Sequence, residues 1–180
     1  LLGFYAVHFM LLEELMRPAS GNKAMQLELP QQLRVIREAN QLVFVKGPSL
    51  IAPPFSFAIN EAGEHHFSSF RLELSFKDVN QAQLPPDLPD LVWMDAASVD
   101  WPLTVRSWQP GDRFQPLGMK GSKKLQDFFT DLKIPRSARS KIVLLCDRKK
   151  ICWVVRYRLD ERVRVTSRTK QILIARFFVG

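Results

Sequence analysis

The chain has 180 residues, enough for one large domain or two small ones, and an apolar fraction of 46% that is ordinary for a globular protein. No apolar run is long enough to span a membrane, and its two cysteines, Cys146 and Cys152, form neither a disulfide framework nor a C-x-x-C site. The formal charge of +8 is unevenly spread: residues 1–100 hold seven Lys/Arg against twelve Asp/Glu (net −5), and residues 101–180 hold nineteen against six (net +13). Such a split fits a basic module that meets a polyanion beside a neutral or acidic one. The plainer alternative is a well-solvated basic surface.

In chain order, residues 1–16 have helical spacing, with Phe4, Val7, His8, Leu11, Leu12 and Leu15 on one face. Pro18 to Gly21 stops that helix. The chain begins inside this pattern at Leu1, without Met, and reads as the back end of a longer protein. Short strands are expected at 26–29, 33–37 and 42–46, with turns at Pro30-Gln31-Gln32 and Ala39-Asn40-Gln41. Residues 48–54 read as a loop, 55–59 as an alternating strand, and 67–76 as another with Phe70, Leu72, Leu74 and Phe76 on one face. A Pro- and Gln-rich loop spans 81–89, and strands follow at 91–94 and 103–108. Leu125, Phe128, Phe129 and Leu132 fall at i, i+3, i+4 and i+7, the stripe of one buried helical face. Pro135 ends that helix, and 136–141 can form a second short one. Strands at 142–146 and 151–157 are joined by Asp147 to Lys150, and a last strand spans 169–178. The expected class is α+β: a helical N-terminal remnant (1–20), a β-rich connecting region (21–100) and a basic C-terminal domain (101–180). The domain is mostly antiparallel, with one or two short helices packed on the sheet.

Few constellations carry chemistry. Asp127 and Asp131 share a helix face, but Lys123, Lys124 and Lys133 alternate with them, so surface ion pairs outweigh acid/base work. His65 and His66 are adjacent on a strand, point to opposite faces and do not share a metal ion. No Walker A, Rossmann or G-x-S-x-G pattern occurs. No catalytic residue, metal ligand or bound cofactor is therefore assigned to this chain. Cys146 and Cys152 sit in apolar runs as small buried hydrophobes, which fits a reducing, cytoplasmic setting.

The segment from Pro110 to Phe129 stands out. It places Arg113, Lys120, Lys123 and Lys124 beside Gly111, Gly118 and Gly121, with a helix expected to begin at Ser122. Glycines admit a close backbone approach, and grouped cations favour an anion, here a phosphate. Lys133, Arg136, Arg139 and Lys141 extend the patch, so these eight cations form the candidate RNA-binding set. Arg113 either forks onto phosphate or pairs internally with Asp112, Asp127 or Asp131. Phe128 and Phe129 are expected in the core rather than stacked on bases.

The ordered string Gly111-Asp112-Arg113-Phe114, Pro116-Leu117-Gly118-Met119, Lys123-Lys124-Leu125, Asp127-Phe128-Phe129, Lys133-Ile134-Pro135-Arg136 and Arg139 resembles the C-terminal domain of bacterial tRNA(Ile)-lysidine synthetases. Cys152 to Val155, Leu159 to Arg162, and Thr169-Lys170 follow the same pattern, and Leu29 to Glu38 matches the preceding region more weakly. Arg156 stands where the family usually has Gly. The resemblance implies a ligase that adenylates the wobble cytidine of an isoleucine tRNA (CAU anticodon) with ATP and Mg, after which lysine displaces AMP. It assigns that chemistry to an N-terminal catalytic domain with a Ser-Gly-Gly-x-Asp-Ser loop, a sequence not found in this chain. This chain is then the tRNA-recognition part, on the acceptor-stem side, with its own catalytic domain as a further partner. The alternative is a structural domain that docks onto the catalytic domain without touching RNA. The oligomeric state is left open.

Overall fold

The computed structural model describes residues 26–29, 33–38, 41–46, 53–81 and 88–180. The helix expected over 1–16, and parts of the loops expected over 48–54 and 81–89, lie outside them. Two compact units emerge, one of residues 1–52 with 135–137, the other of 53–134 with 138–180. The first unit contains a three-stranded antiparallel sheet, β1 (Gln26–Leu29), β2 (Leu33–Glu38) and β3 (Gln41–Lys46). The strand ranges expected from alternation match it closely, and Val35 is fully buried.

The second unit packs two antiparallel sheets face to face. One has the order β13-β12-β11-β8-β4, from Arg158–Leu159, Ile151–Val154, Val143–Cys146, Leu103–Ser107 and Ser56–Ile59. The other has the order β5-β6-β14-β7, from Gly63–Phe67, Phe70–Asp78, Gln171–Val179 and Leu91–Asp95. Alternation along each strand sends one set of side chains between the sheets: Leu72 and Leu74 from β6, Leu173 and Ala175 from β14, Leu103 and Val105 from β8. A short two-stranded ribbon, β9 (Arg113–Phe114) with β10 (Lys123–Lys124), and a helix α1 (Leu125–Asp131) lie on the other face of the first sheet. β11 therefore buries both faces, with Val143 and Leu145 toward one core and Leu144 and Cys146 toward the other. That explains why it reads as an unbroken apolar run rather than an alternating one. No helix among the described residues is long and apolar enough to cross a membrane.

Four expectations change. Residues 67–76 are not one strand: Ser68-Ser69 turns the chain, and Phe67 pairs with Phe70 across a hairpin. The strand at 151–157 stops at Val154, where a turn closed by Tyr157 N–H on Val154 O sends it back as β13. Cys152 is the extra residue of a bulge there, since Cys146 faces Ile151 while Leu145 faces Trp153. Third, no boundary falls near residue 100. β14 pairs with β6 and β7, and β4 pairs with β8, so strands from both sides of that point complete each sheet. Fourth, α1 begins at Leu125, because Lys123 and Lys124 are taken into β10.

Candidate nucleic-acid interface

The basic segment is shaped by two carboxylate clamps, one half-buried and one fully buried. β8 carries Arg106 on the face away from the inter-sheet core, and its guanidinium forks onto Asp112, Nη1 to Oδ2 and Nη2 to Oδ1, both at 2.8 Å. The same carboxylate accepts the Gln109 N–H at 2.7 Å, and the Asp112 carbonyl accepts the Leu125 N–H at 2.9 Å. Gly111, at φ 93°, supplies the left-handed turn that this closure needs. The Asp112 hydrogen bonds raise the Arg106 pKa still further above its ordinary value, so the guanidinium keeps its charge.

Asp160 forms the second clamp. It is fully buried, and its carboxylate accepts four hydrogen bonds: the Gln115 N–H (2.8 Å), the Arg162 N–H (2.9 Å), and Arg162 Nε and Nη2 (both 2.8 Å). Around it Leu117 N–H bonds Leu159 O at 2.9 Å, Gly118 N–H bonds a Glu161 carboxylate oxygen at 2.8 Å, and Gln115 Nε2 donates to Met119 O at 2.8 Å. The loop 116–121 is thus tied at its base, while its tip presents Leu117, Met119 and Lys120 to solvent.

Between the clamps the ribbon sets out the cations. Lys124 lies directly opposite Arg113, and Lys123 opposite Phe114. Phe114 is buried against Phe128, at 4.9 Å between ring centroids, so it fixes one side of the ribbon. Arg113 and Lys124 are both exposed on the other side. Arg113 pairs with none of Asp112, Asp127 or Asp131 in this structure. Its Nε donates to Ser122 Oγ and its Nη2 to Ser122 O, both at 3.1 Å, which orients the fork without neutralising it. Lys123 is half-buried and ion-paired to Asp131.

The helix α1 rests on Leu125 and Phe129, both at 0% exposure, with Trp108 edge-on to Phe129 at 5.6 Å. Leu132 does not continue the stripe and is 46% exposed, because the helix has already ended. Lys133 takes φ 55°; its N–H bonds Thr130 O, the Ile134 N–H bonds Phe129 O, and Ile134 enters the core where Leu132 was expected. This is a Schellman close, with lysine at the position where glycine is usual. The start of α1 has no side-chain cap, and at seven residues it offers no separate anion site.

The remaining expected residues divide. Lys120, Lys133, Arg136 and Lys141 are exposed. Arg139, in the short helix α2 (Arg136–Arg139), is only 8% exposed. Its Nε donates to Ile134 O at 3.1 Å and its Nη2 to Thr130 Oγ1 at 3.2 Å, with the guanidinium over the Phe129 ring. Arg139 therefore braces the end of α1. Sequence reasoning missed Arg106, Asp160, Glu161 and Arg162 as the scaffold of the site. The available signal was the string Leu159-Asp160-Glu161-Arg162, in which an acid stands two residues before an arginine. Among the described residues no cluster of three or more His, Cys, Asp or Glu could hold a metal ion. Burial drives the Cys146 thiol up to about 11 and raises the Cys152 thiol further still, so both stay protonated and unreactive.

Comparison with known proteins bears on this segment. Residues 103–175 match the family model of the TilS substrate C-terminal domain. The chain is 31% identical over 161 residues to a tRNA(Ile)-lysidine synthase of Caldanaerobacter subterraneus, covering 84% of this chain and 33% of that protein. It is 32% identical over 169 residues to one of Geobacter sulfurreducens, covering 87% and 33%. Over 87 residues it is 45% identical to one of Parabacteroides distasonis, covering 48% and 20%. The chain thus spans a third or less of these relatives' length. A crystal structure of a TILS C-terminal domain superposes with a TM-score of 0.58 at 22% identity, covering 69% of this chain and 98% of that one, which shows a common fold.

Proposed function

Because residues 103–175 belong to the TilS substrate C-terminal domain family, we propose that this chain is the tRNA-recognition region of a tRNA(Ile)-lysidine synthase. It binds the phosphate backbone of an isoleucine tRNA, on the acceptor-stem side, and performs no chemistry itself. In the whole protein the ligation of lysine, with ATP and Mg, belongs to an N-terminal domain outside this chain. The observation that carries the reading is the ribbon. Arg113 and Lys124 face each other directly across two strands, both exposed. Like charges so placed repel and destabilise a two-stranded ribbon. A phosphate between them turns that repulsion into two charge-assisted hydrogen bonds. Lys120 on the tied loop and Lys133 beyond α1 supply further contacts to the same backbone. Lys123 and Arg139, engaged with Asp131 and with Ile134 and Thr130, hold the elements that carry the others.

Lys124→Ala tests this. The residue is exposed and makes no side-chain cap for α1, so the melting temperature should hold. Binding to the isoleucine tRNA should weaken, and the slope of log affinity against log salt should drop by roughly 0.7–0.9 for the lost phosphate contact. An unchanged slope would favour the other reading, a domain that docks onto its catalytic partner without touching RNA.

A further inference from the structure

Beside the tied loop, and apart from the Arg113–Lys124 ribbon, a cavity of about 460 Å³ opens on the second unit. That volume falls within the roughly 300–1,000 Å³ of small-ligand sites. Its apolar floor includes Trp153, Leu159 and Leu91, and Trp93 and Tyr157 add aromatic faces to its lining. Three arginines, Arg156, Arg158 and Arg164, also line it. Four local features build it. The turn at Val154–Tyr157 leaves the Tyr157 ring 42% exposed. Arg156 occupies the left-handed turn position, φ 67°, and pairs with Asp90 at 2.7 Å. Arg164 bridges to Met94 at the edge of β7 and pairs with Glu161 at 2.6 Å. Leu117, from the tip of the tied loop and 38% exposed, closes one side.

An apolar floor, exposed aromatic faces and surrounding guanidinium groups match a flat ring attached to a phosphate. A Watson–Crick duplex presents no free ring face, so such a site takes a nucleotide that is out of the stack. Arg158 is exposed and makes no ion pair among the described residues, while the carboxylates on Arg156 and Arg164 orient those two side chains before a ligand arrives. The arginine at 156 keeps its strained backbone where glycine would be relaxed, and strain retained at a cavity wall points to use of the side chain. We propose that this cavity binds one unpaired nucleotide of the RNA, its base against Tyr157 and its phosphate on the arginines. The proposal rests on the RNA-binding reading above and adds to it a second site that responds to the base.

The test uses the chain with three probes: hexaadenylate RNA, an abasic ribose-phosphate hexamer, and a blunt RNA duplex. Hexaadenylate should bind more tightly than the abasic strand. Tyr157→Ala should weaken hexaadenylate by about 5- to 150-fold, the range of one lost stacking contact. The same change should leave duplex binding and the melting temperature in place, and Tyr157→Phe should retain affinity. Equal binding of hexaadenylate and the abasic strand, or no effect of Tyr157→Ala, would overturn the nucleotide site while the duplex arm still supports the phosphate reading. Loss of affinity in Tyr157→Phe would move the contact to the hydroxyl and overturn stacking. A glutamate-rich peptide that competes as well as hexaadenylate would also overturn it, in favour of an acidic protein partner. A chain that binds none of the RNAs would refute both readings together.

Discussion

At the scale of single residues, the cations that attract attention in the sequence are of two kinds. Arg113, Lys120, Lys124, Lys133, Arg136 and Lys141 reach solvent, whereas Lys123 and Arg139 are spent on internal contacts. Sequence spacing cannot separate them, because the difference depends on which carboxylate or carbonyl the fold brings within reach. The residue that most controls the site is an acid. Asp160 holds the base of the 116–121 loop with four hydrogen bonds from a fully buried position. Asp160→Asn keeps the shape but turns an amide NH₂ toward donors that lose their acceptor. We expect a loss of about 1–3 kcal/mol, read from the urea midpoint, together with weaker RNA binding by the loosened loop. An unchanged midpoint would show that the loop is held by its backbone bonds alone. Arg156 illustrates the same local logic: its φ of 67° accounts for the glycine usual at that place in the family pattern.

At the scale of elements, α1 shows where periodicity stops being informative. The i, i+3, i+4 positions Leu125, Phe128 and Phe129 are buried as spaced, but the helix ends after Asp131, and Ile134 takes the next core place through the Schellman turn. The left-handed lysine at that turn costs roughly 1–2 kcal/mol relative to a residue without Cβ, offset in part by the extra freedom of glycine in the unfolded chain. Lys133→Gly should therefore raise stability by up to about 1 kcal/mol in thermal or urea unfolding. If Lys133 meets phosphate, the same variant should bind tRNA more weakly with a shallower salt dependence. A variant that is both more stable and equally tight would mark Lys133 as a bystander. The ribbon β9–β10 is the complementary case. Two residues per strand are too few to show any period, so Lys123 and Lys124 read as the approach to a helix, and only pairing with Arg113 and Phe114 reveals them as a strand.

At the scale of the whole chain, β14 joins parts distant in sequence. It pairs along its full length with β6 and also with β7, and its Leu173, Ala175 and Phe177 enter the core between the sheets. A fragment of residues 53–180 should therefore unfold in one cooperative transition. A fragment of 101–180 should fail to fold, since it lacks β4, β5, β6 and β7 and exposes the apolar face of the first sheet. Circular dichroism melts of the two fragments check this; a folded 101–180 fragment would restore the division near residue 100.

The sequence by itself determined which segments are apolar strands, where the helix of Leu125, Phe128 and Phe129 lies, and which half of the chain is basic, because periodicity and charge are local properties. Its ordered motif also pointed to the right family. Only the tertiary structure decided which sheet each strand joins, that Asp112 and Asp160 clamp the basic segment, that Arg113 and Lys124 stand opposed, and that Trp93, Tyr157 and three arginines share one cavity. Those outcomes depend on contacts between residues far apart in the chain, such as Gln115 with Asp160 and Met94 with Arg164. Their partners are chosen by burial and hydrogen-bond satisfaction in the assembled fold, which no window of neighbouring residues contains.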